Sequence, residues 1–166
     1  MKSALTMKLK KAGARLAIVT LLGISPTTWA ADSPVDFVKC SSSKATSLNV
    51  GGDVTAIGME NWGIVASGSS KEFENGSTHC VGLFRIVDGK RAGNGMCKIL
   101  DPAGNTILGK FEILAPGAGS WEFLAGTGKF KGIAGSGEWK VFTTAKPSAD
   151  GTSQFCERYT GKYTLP

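Results

Sequence analysis

Residues 79–97 read HCVGLFRIVDGKRAGNGMC, and this stretch has the pattern of a β-hairpin. Its first half is rich in β-branched and aromatic residues, which favour a strand from His79 to Val87. The dipeptide Asp88-Gly89 that follows is typical of a two-residue type I′ turn. We therefore predict two antiparallel strands joined at this turn.

The turn also determines which cysteines face each other. A two-residue loop sets a register that brings Cys80 directly opposite Cys97. This pair falls on a non-hydrogen-bonded position, where Cα atoms are roughly 4.5 Å apart, which is within disulfide reach. We predict a Cys80–Cys97 disulfide and, by elimination, a Cys40–Cys156 disulfide. A bulge within Ala92–Gly95 would shift the register by one residue.

The rest of the chain alternates short β-type runs with Gly, Asn, Asp and Pro, and it has no long segment of helical periodicity. About eight strands are predicted, at 53–58, 61–67, 79–87, 95–100, 106–114, 120–124, 135–144 and 155–164, and residues 44–50 would add another. Eight antiparallel strands with short turns favour an all-β fold, a closed antiparallel barrel without exposed edges. A β-sandwich is the structural alternative.

The N-terminal thirty residues have the three parts of a cleavable signal peptide. A basic region from Lys8 to Arg15 precedes the apolar run Leu16–Ile24, which is too short to span a bilayer, and small residues occupy Thr28 and Ala30. We predict cleavage after Ala30, which leaves 31–166 as a single barrel domain. The product would be periplasmic or secreted and would have no membrane contact.

Export changes the meaning of the basic composition. Five of the 19 Lys and Arg residues precede the predicted cleavage point and all 13 Asp and Glu residues follow it, so 14 cations remain and the net charge falls from +6 to +1. A nucleic-acid-binding protein needs a basic surface in its folded domain. We therefore expect no nucleic-acid partner.

Residues 126–137 read GTGKFKGIAGSG, and this glycine-rich stretch predicts a tight bend that leads into a strand. Gly126 and Gly128 would permit positive φ in the bend, and Phe130 would plug the end of the barrel. The stretch lacks the Gly-Lys-Ser/Thr ending of a phosphate-binding loop.

This same stretch resembles a pattern shared by allene oxide cyclases and dirigent proteins, in which Gly-Thr-Gly, an aromatic residue and a further Gly lead into a barrel strand. The resemblance implies the barrel fold. The cyclases close a ring in an unstable fatty-acid epoxide inside an apolar barrel, but no motif here matches their functional residues. Residues 79–97 also resemble uncharacterised bacterial exported proteins, which implies a bacterial source.

Few residues in the sequence are suited to catalysis or to metal binding. His79 is the only histidine, and its neighbour Cys80 is expected to be oxidised, which removes a thiol nucleophile. A metal site needs several histidines or a carboxylate cluster, and neither is visible, so no metal and no cofactor are predicted.

A ligand site inside the barrel would need a few polar groups among apolar ones. Most charged residues on the strands are expected to face solvent, but Arg85, Glu112 and Glu122 are candidates to point inward and orient a ligand. Trp62 lies in a loop-like context and is a candidate for the barrel mouth. The other large aromatic residues are expected in the core: Trp121, Trp139, Tyr159 and Tyr163.

Three functions are compatible with these observations. An exported barrel could bind a small, partly apolar ligand, because eight strands enclose just enough space for one. Alternatively, the barrel is filled and the protein has a structural or interaction role. The third function is a cyclase- or isomerase-like enzyme that shapes its substrate, and the residues favour it least.

Overall fold

The computed structural model describes residues 31–49 and 51–166, and the predicted signal peptide at 1–30 lies outside the described residues. No helix among these residues is long and apolar enough to cross a membrane. The eight strands are β1 Ser33–Asn49, β2 Val54–Gly68, β3 Ser77–Val87, β4 Lys90–Leu100, β5 Thr106–Ala115, β6 Ala118–Gly126, β7 Ala134–Ala145 and β8 Thr152–Thr164.

The strands form one closed antiparallel barrel. Each strand pairs with the next in the chain, and β8 pairs with β1 to complete the circle. The predicted all-β barrel of eight strands is therefore confirmed. Several boundaries differ from the prediction: the runs at 53–58 and 61–67 form the single strand β2, 44–50 overlaps only the end of β1, and β4 begins at Lys90 rather than at 95. Tilted barrel strands are long, and a glycine such as Gly58 inside β2 does not end one.

The hairpin of β3 and β4 has the predicted register. Asp88 and Gly89 have positive φ angles of 50° and 73°, as a type I′ turn requires. Cys80 pairs with Cys97, and their Cα atoms are 4.0 Å apart in a disulfide. The second predicted disulfide, Cys40–Cys156, is also present and joins β1 to β8.

An aromatic stack fills one end of the barrel. The short 3₁₀ turns Lys71–Phe73 and Gly128–Phe130 fold over this end and insert Phe73 and Phe130, whose ring centroids are 6.0 Å apart. Further inward, the ring centroid of Phe37 lies 5.5 Å from that of Phe73. The predicted plug by Phe130 is therefore present, and a second aromatic residue strengthens it. Other buried apolar residues complete this half: Val35, Val65, Ile107, Phe123, Ile133 and Tyr163.

The two glycines before this plug serve different purposes. Gly128 has a φ of 55°, as predicted for the bend. Gly126 is not among the residues with positive φ, so that part of the prediction is wrong. A Cβ atom at Gly126 would clash with the carbonyl oxygen of Phe130. The close approach of the Phe130 backbone, rather than a left-handed conformation, therefore requires glycine there.

From the plug we predict that two phenylalanines differ greatly in their contribution to the free energy of unfolding. Phe73→Ala should lower the free energy of unfolding by about 3–5 kcal/mol, because it leaves a cavity among buried rings. Phe142 is exposed on β7, and Phe142→Ala should change the free energy by less than about 0.5 kcal/mol. Denaturant unfolding of both variants measures the difference. Equal losses would contradict the assignment of Phe73 to the plug.

Candidate functional site

The other half of the barrel contains a cavity of about 390 Å³. It lies toward the end that carries the β1–β2, β3–β4, β5–β6 and β7–β8 connections. Exposed residues at this end form its rim, among them Arg91, Thr144 and Ser153. The filled barrel, which the sequence analysis gave as an alternative, is therefore found only in the plugged half.

Apolar side chains form most of the cavity wall. Their alternation along the strands places every second residue inside, and six of the eight strands contribute one or two apolar residues to the wall. The apolar residues of the wall are Ala45, Ile57, Met59, Phe84, Phe111, Ile113, Trp139, Val141 and Phe155. A molecule with an apolar body would lose water contacts on several sides here, which favours its binding.

A buried ion pair lies at the cavity floor. Lys39 on β1 and Glu157 on β8 are directly opposite each other in the barrel-closing ladder, and both side chains point inward. Lys39 Nζ lies 2.9 Å from Glu157 Oε2, and the two residues are only 4% and 6% exposed. The Tyr159 hydroxyl donates a hydrogen bond of 3.0 Å to the same oxygen. Three polar groups therefore meet at one point in an apolar barrel.

The pKa values of these groups follow from their surroundings. Burial alone would lower the pKa of the Lys39 ammonium, but the oxygens of Tyr159 and Glu157 outweigh burial and raise it above its ordinary value. Burial raises the pKa of the Tyr159 hydroxyl, and the Lys39 ammonium opposes this while the Glu157 carboxylate adds to it. Near neutral pH, Lys39 is therefore charged and Tyr159 is a protonated phenol.

Two further polar side chains near the floor lack partners. Within the described part of the chain, Asn61 Oδ1 and Ser41 Oγ are buried and accept or donate no hydrogen bond. Asn61 lines the cavity and is 3% exposed. A buried polar atom without a partner is costly, so Asn61 Oδ1 is ready to accept a hydrogen bond from a ligand or water in the cavity.

The disulfide Cys80–Cys97 also lines the cavity. Both sulfurs belong to inward positions of the β3–β4 hairpin, and Lys39 Nζ lies 3.9 Å from Cys80 Sγ. The other disulfide, Cys40–Cys156, borders a groove on the outer surface. The two bonds therefore occupy opposite faces of the barrel wall.

The four ligand-binding residues predicted from the sequence do not line this cavity. Trp62 is 47% exposed on the outside of β2, and its ring stacks on His79 with 5.6 Å between the centroids. His79 Nε2 in turn lies 2.7 Å from Glu60 Oε1. Trp62 therefore lies on the outer face and not at the mouth of this cavity, and a ligand role for it stays a prediction.

The three charged candidates also face outward. Arg85 is exposed on β3, while Glu112 and Glu122 line a surface groove across β5, β6 and β7. Lys110 Nζ in this groove lies 2.8 Å from Glu122 Oε2, and this hydrogen bond raises the pKa of Lys110. The structure thus brings Glu112 and Glu122 together, but outside the barrel, where a ligand role for them stays a prediction.

The sequence analysis did not identify the inward-pointing Lys39, Asn61 and Glu157 as candidate site residues. Glu157 lies two residues from both Phe155 and Tyr159, and Lys39 lies two residues after Phe37. Residues two apart in a strand share a face, so this spacing could have placed both charged residues on the inner face. Among the described residues, no group of three or more His, Cys, Asp or Glu side chains is placed to hold a metal ion.

Comparisons with known proteins identify the fold. No protein-family model matches the sequence, and no curated protein matches it. Among solved structures, the chain is similar to a pterocarpan synthase dirigent protein, with a TM-score of 0.52 and 12% sequence identity. The match covers 86% of this chain and 98% of that chain. At this identity the likeness shows a dirigent-like barrel fold, as the resemblance of residues 126–137 implied.

The buried Lys39–Glu157 ion pair leads to a prediction about the free energy of unfolding. Lys39→Met should lower the free energy of unfolding by about 3–5 kcal/mol, because Glu157 then stays buried without a cation. The double variant Lys39→Met/Glu157→Gln should regain most of this loss, because it contains no buried charge. The measurement is denaturant unfolding of the parent and both variants.

A matched control is the exposed pair of Arg158 and Asp36 on the outer face of the same two strands. Arg158→Met should cost less than about 1 kcal/mol, since exposed ion pairs contribute little. A double variant as unstable as Lys39→Met alone would contradict the described ion pair.

Proposed function

We propose that this chain is an exported small β-barrel protein that binds a small, partly apolar molecule in the open half of its barrel. The observation that carries the proposal is the cavity of about 390 Å³ with apolar walls and a buried polar floor. Ligand pockets of proteins are typically about 300–1,000 Å³, mostly apolar, with a few polar groups that fix orientation. Both properties are present here.

The polar groups restrict the chemistry of the ligand. Lys39 and Glu157 neutralise each other, so the floor favours a neutral polar group over a charged one. The unpartnered Asn61 Oδ1 is an acceptor, and it suits a ligand group that donates a hydrogen bond. The best fit is therefore an apolar body with a hydroxyl or amide group that reaches the floor.

Export is supported by the cysteines and by the N-terminal sequence. Both disulfides suit an oxidising compartment, and they are rare in the reducing cytosol. Residues 1–30 have the pattern of a cleavable signal peptide. We therefore place the single domain 31–166 in the periplasm or outside the cell of a bacterium.

A second candidate function is an enzyme that acts on the molecule it binds. It is favoured by Tyr159, whose phenol group lies at the cavity floor and donates a hydrogen bond to Glu157 Oε2. The dirigent protein of similar fold is itself named a synthase. In such a reaction the Tyr159 hydroxyl would donate a hydrogen bond to an oxygen atom of the substrate.

Ligand binding is tested by filling the cavity. Met59→Trp adds a larger side chain at a cavity wall and should weaken the binding of a neutral, apolar fluorescent probe such as N-phenyl-1-naphthylamine by about tenfold or more. Met96→Trp makes the same change on the outer face and should leave the affinity unchanged. Probe titration monitored by fluorescence measures both, and circular dichroism confirms the fold of each variant.

Two results would contradict ligand binding in the cavity. In the first, the folded parent does not bind the probe. In the second, both variants bind it as the parent does, which would place the probe on exposed apolar residues of the outer face such as Val81 and Leu83.

The enzyme candidate is tested with Tyr159→Phe, which removes the phenol oxygen and keeps the ring. A metabolite extract of the source bacterium is incubated with the parent and with the variant, and the products are compared by mass spectrometry. If the barrel is an enzyme, a product should form with the parent and be lost with the variant, while both proteins still bind the probe. A parent that binds the probe but changes no compound would favour the binding protein.

A further inference from the structure

The interior disulfide is a part of the cavity floor to which the ligand-binding proposal assigns no role. Cys80 is 1% exposed and Cys97 is partly exposed, and both line the cavity. A molecule that enters the open half of the barrel therefore reaches a disulfide, and Cys97 is the more exposed of its two residues.

The two sulfurs have different electrostatic surroundings. Lys39 Nζ lies 3.9 Å from Cys80 Sγ, within the range of a weak hydrogen bond to sulfur. An ammonium group beside a cysteine stabilises its thiolate form. In thiol–disulfide exchange, the sulfur that forms the more stable thiolate leaves faster. Cys80 is thus suited to leave, and Cys97 is suited to be attacked.

We propose that the cavity floor is a thiol–disulfide exchange site for small-molecule thiols, in which Cys97 is attacked and Cys80 is the leaving sulfur. The proposal goes beyond ligand binding, and it depends on the same cavity being open to solutes. It requires no cofactor, because the incoming thiol is itself the reductant.

The exchange step conserves atoms and electrons. The small thiol loses its proton to water, and its sulfur forms a bond to Cys97 Sγ. The Cys97–Cys80 bond breaks, and its electron pair leaves on Cys80 Sγ as a thiolate beside the Lys39 ammonium. A second small thiol can then attack the mixed disulfide, which releases a small disulfide and leaves both cysteines reduced.

The position of this disulfide selects thiols by size. The cavity of about 390 Å³ admits a small molecule, but the barrel wall separates its floor from a protein surface. The outer disulfide Cys40–Cys156 borders a surface groove, so it lacks this barrier. Small thiols should therefore react at Cys97 in the folded protein, whereas a protein thiol such as that of reduced thioredoxin should not.

The experiment treats the folded, oxidised protein with 2-mercaptoethanol and stops the reaction with N-ethylmaleimide. Peptide mass spectrometry then identifies the modification on each cysteine. We expect the 2-mercaptoethanol adduct on Cys97 and the maleimide on Cys80. An adduct mainly on Cys80 would overturn the proposal, and so would equal labelling of both sulfurs, as expected for reduction through global unfolding.

Two variants test the role of the ammonium. Lys39→Met/Glu157→Gln removes the cation without leaving a buried charge, and it should slow adduct formation on Cys97 by about tenfold, because the Cys80 thiolate becomes a poorer leaving group. Lys98→Met removes an exposed cation next to Cys97 in the chain but on the outer face, and it should leave the rate unchanged. Equal rates in the parent and the double variant would overturn the role of Lys39.

The exchange proposal and the ligand-binding proposal fail in different ways. If the fluorescent probe binds in the cavity but Cys97 stays unmodified, the exchange proposal is overturned and ligand binding stands. If both proposals are correct, probe bound in the cavity should slow the formation of the adduct on Cys97. It should leave the rate at which thioredoxin reduces Cys40–Cys156 unchanged.

Discussion

The pairing of β1 with β8 is the contact on which the rest of the molecule depends, because it turns a sheet into a barrel. Two neighbouring positions in this pairing have opposite roles. Cys40 and Cys156 form a disulfide on the outer side, and Lys39 and Glu157 form an ion pair on the inner side. A slip of one residue would exchange the two faces. The disulfide therefore fixes a register that keeps the ion pair inside.

Closure encloses a fixed volume, and the inward side chains decide how much of it is filled. Large rings such as Phe37, Phe73 and Phe130 occupy the plugged half. In the open half, β1 contributes the small inward residues Ser41 and Ser43. The cavity is therefore a consequence of side-chain volume along the strands, and it needs no change in strand number or tilt.

The hairpin turn and the Cys80–Cys97 disulfide were predictable from sequence, because turn chemistry and the pairing of adjacent strands are local rules. The Cys40–Cys156 disulfide then followed by elimination, and the barrel class followed from the number of short strands. The site was not predictable, because parity assigns residues to a face but does not say which face is inside. Apolar residues such as Ile64, Val81 and Leu83 occupy the outer face and weaken that distinction. Only barrel closure brings Lys39 next to Glu157, which follows it by more than one hundred residues.

A buried ion pair contributes little net stability, because the loss of hydration offsets most of the attraction between the charges. Stability alone therefore gives a weak account of Lys39 and Glu157 at the cavity floor. The ammonium is shared: the Glu157 carboxylate and Cys80 Sγ are both within 3.9 Å of Lys39 Nζ. In the proposed exchange, the Cys80 thiolate would share this ammonium with the Glu157 carboxylate. The ion pair at the floor and the proposed chemistry of the disulfide would thus depend on one cation.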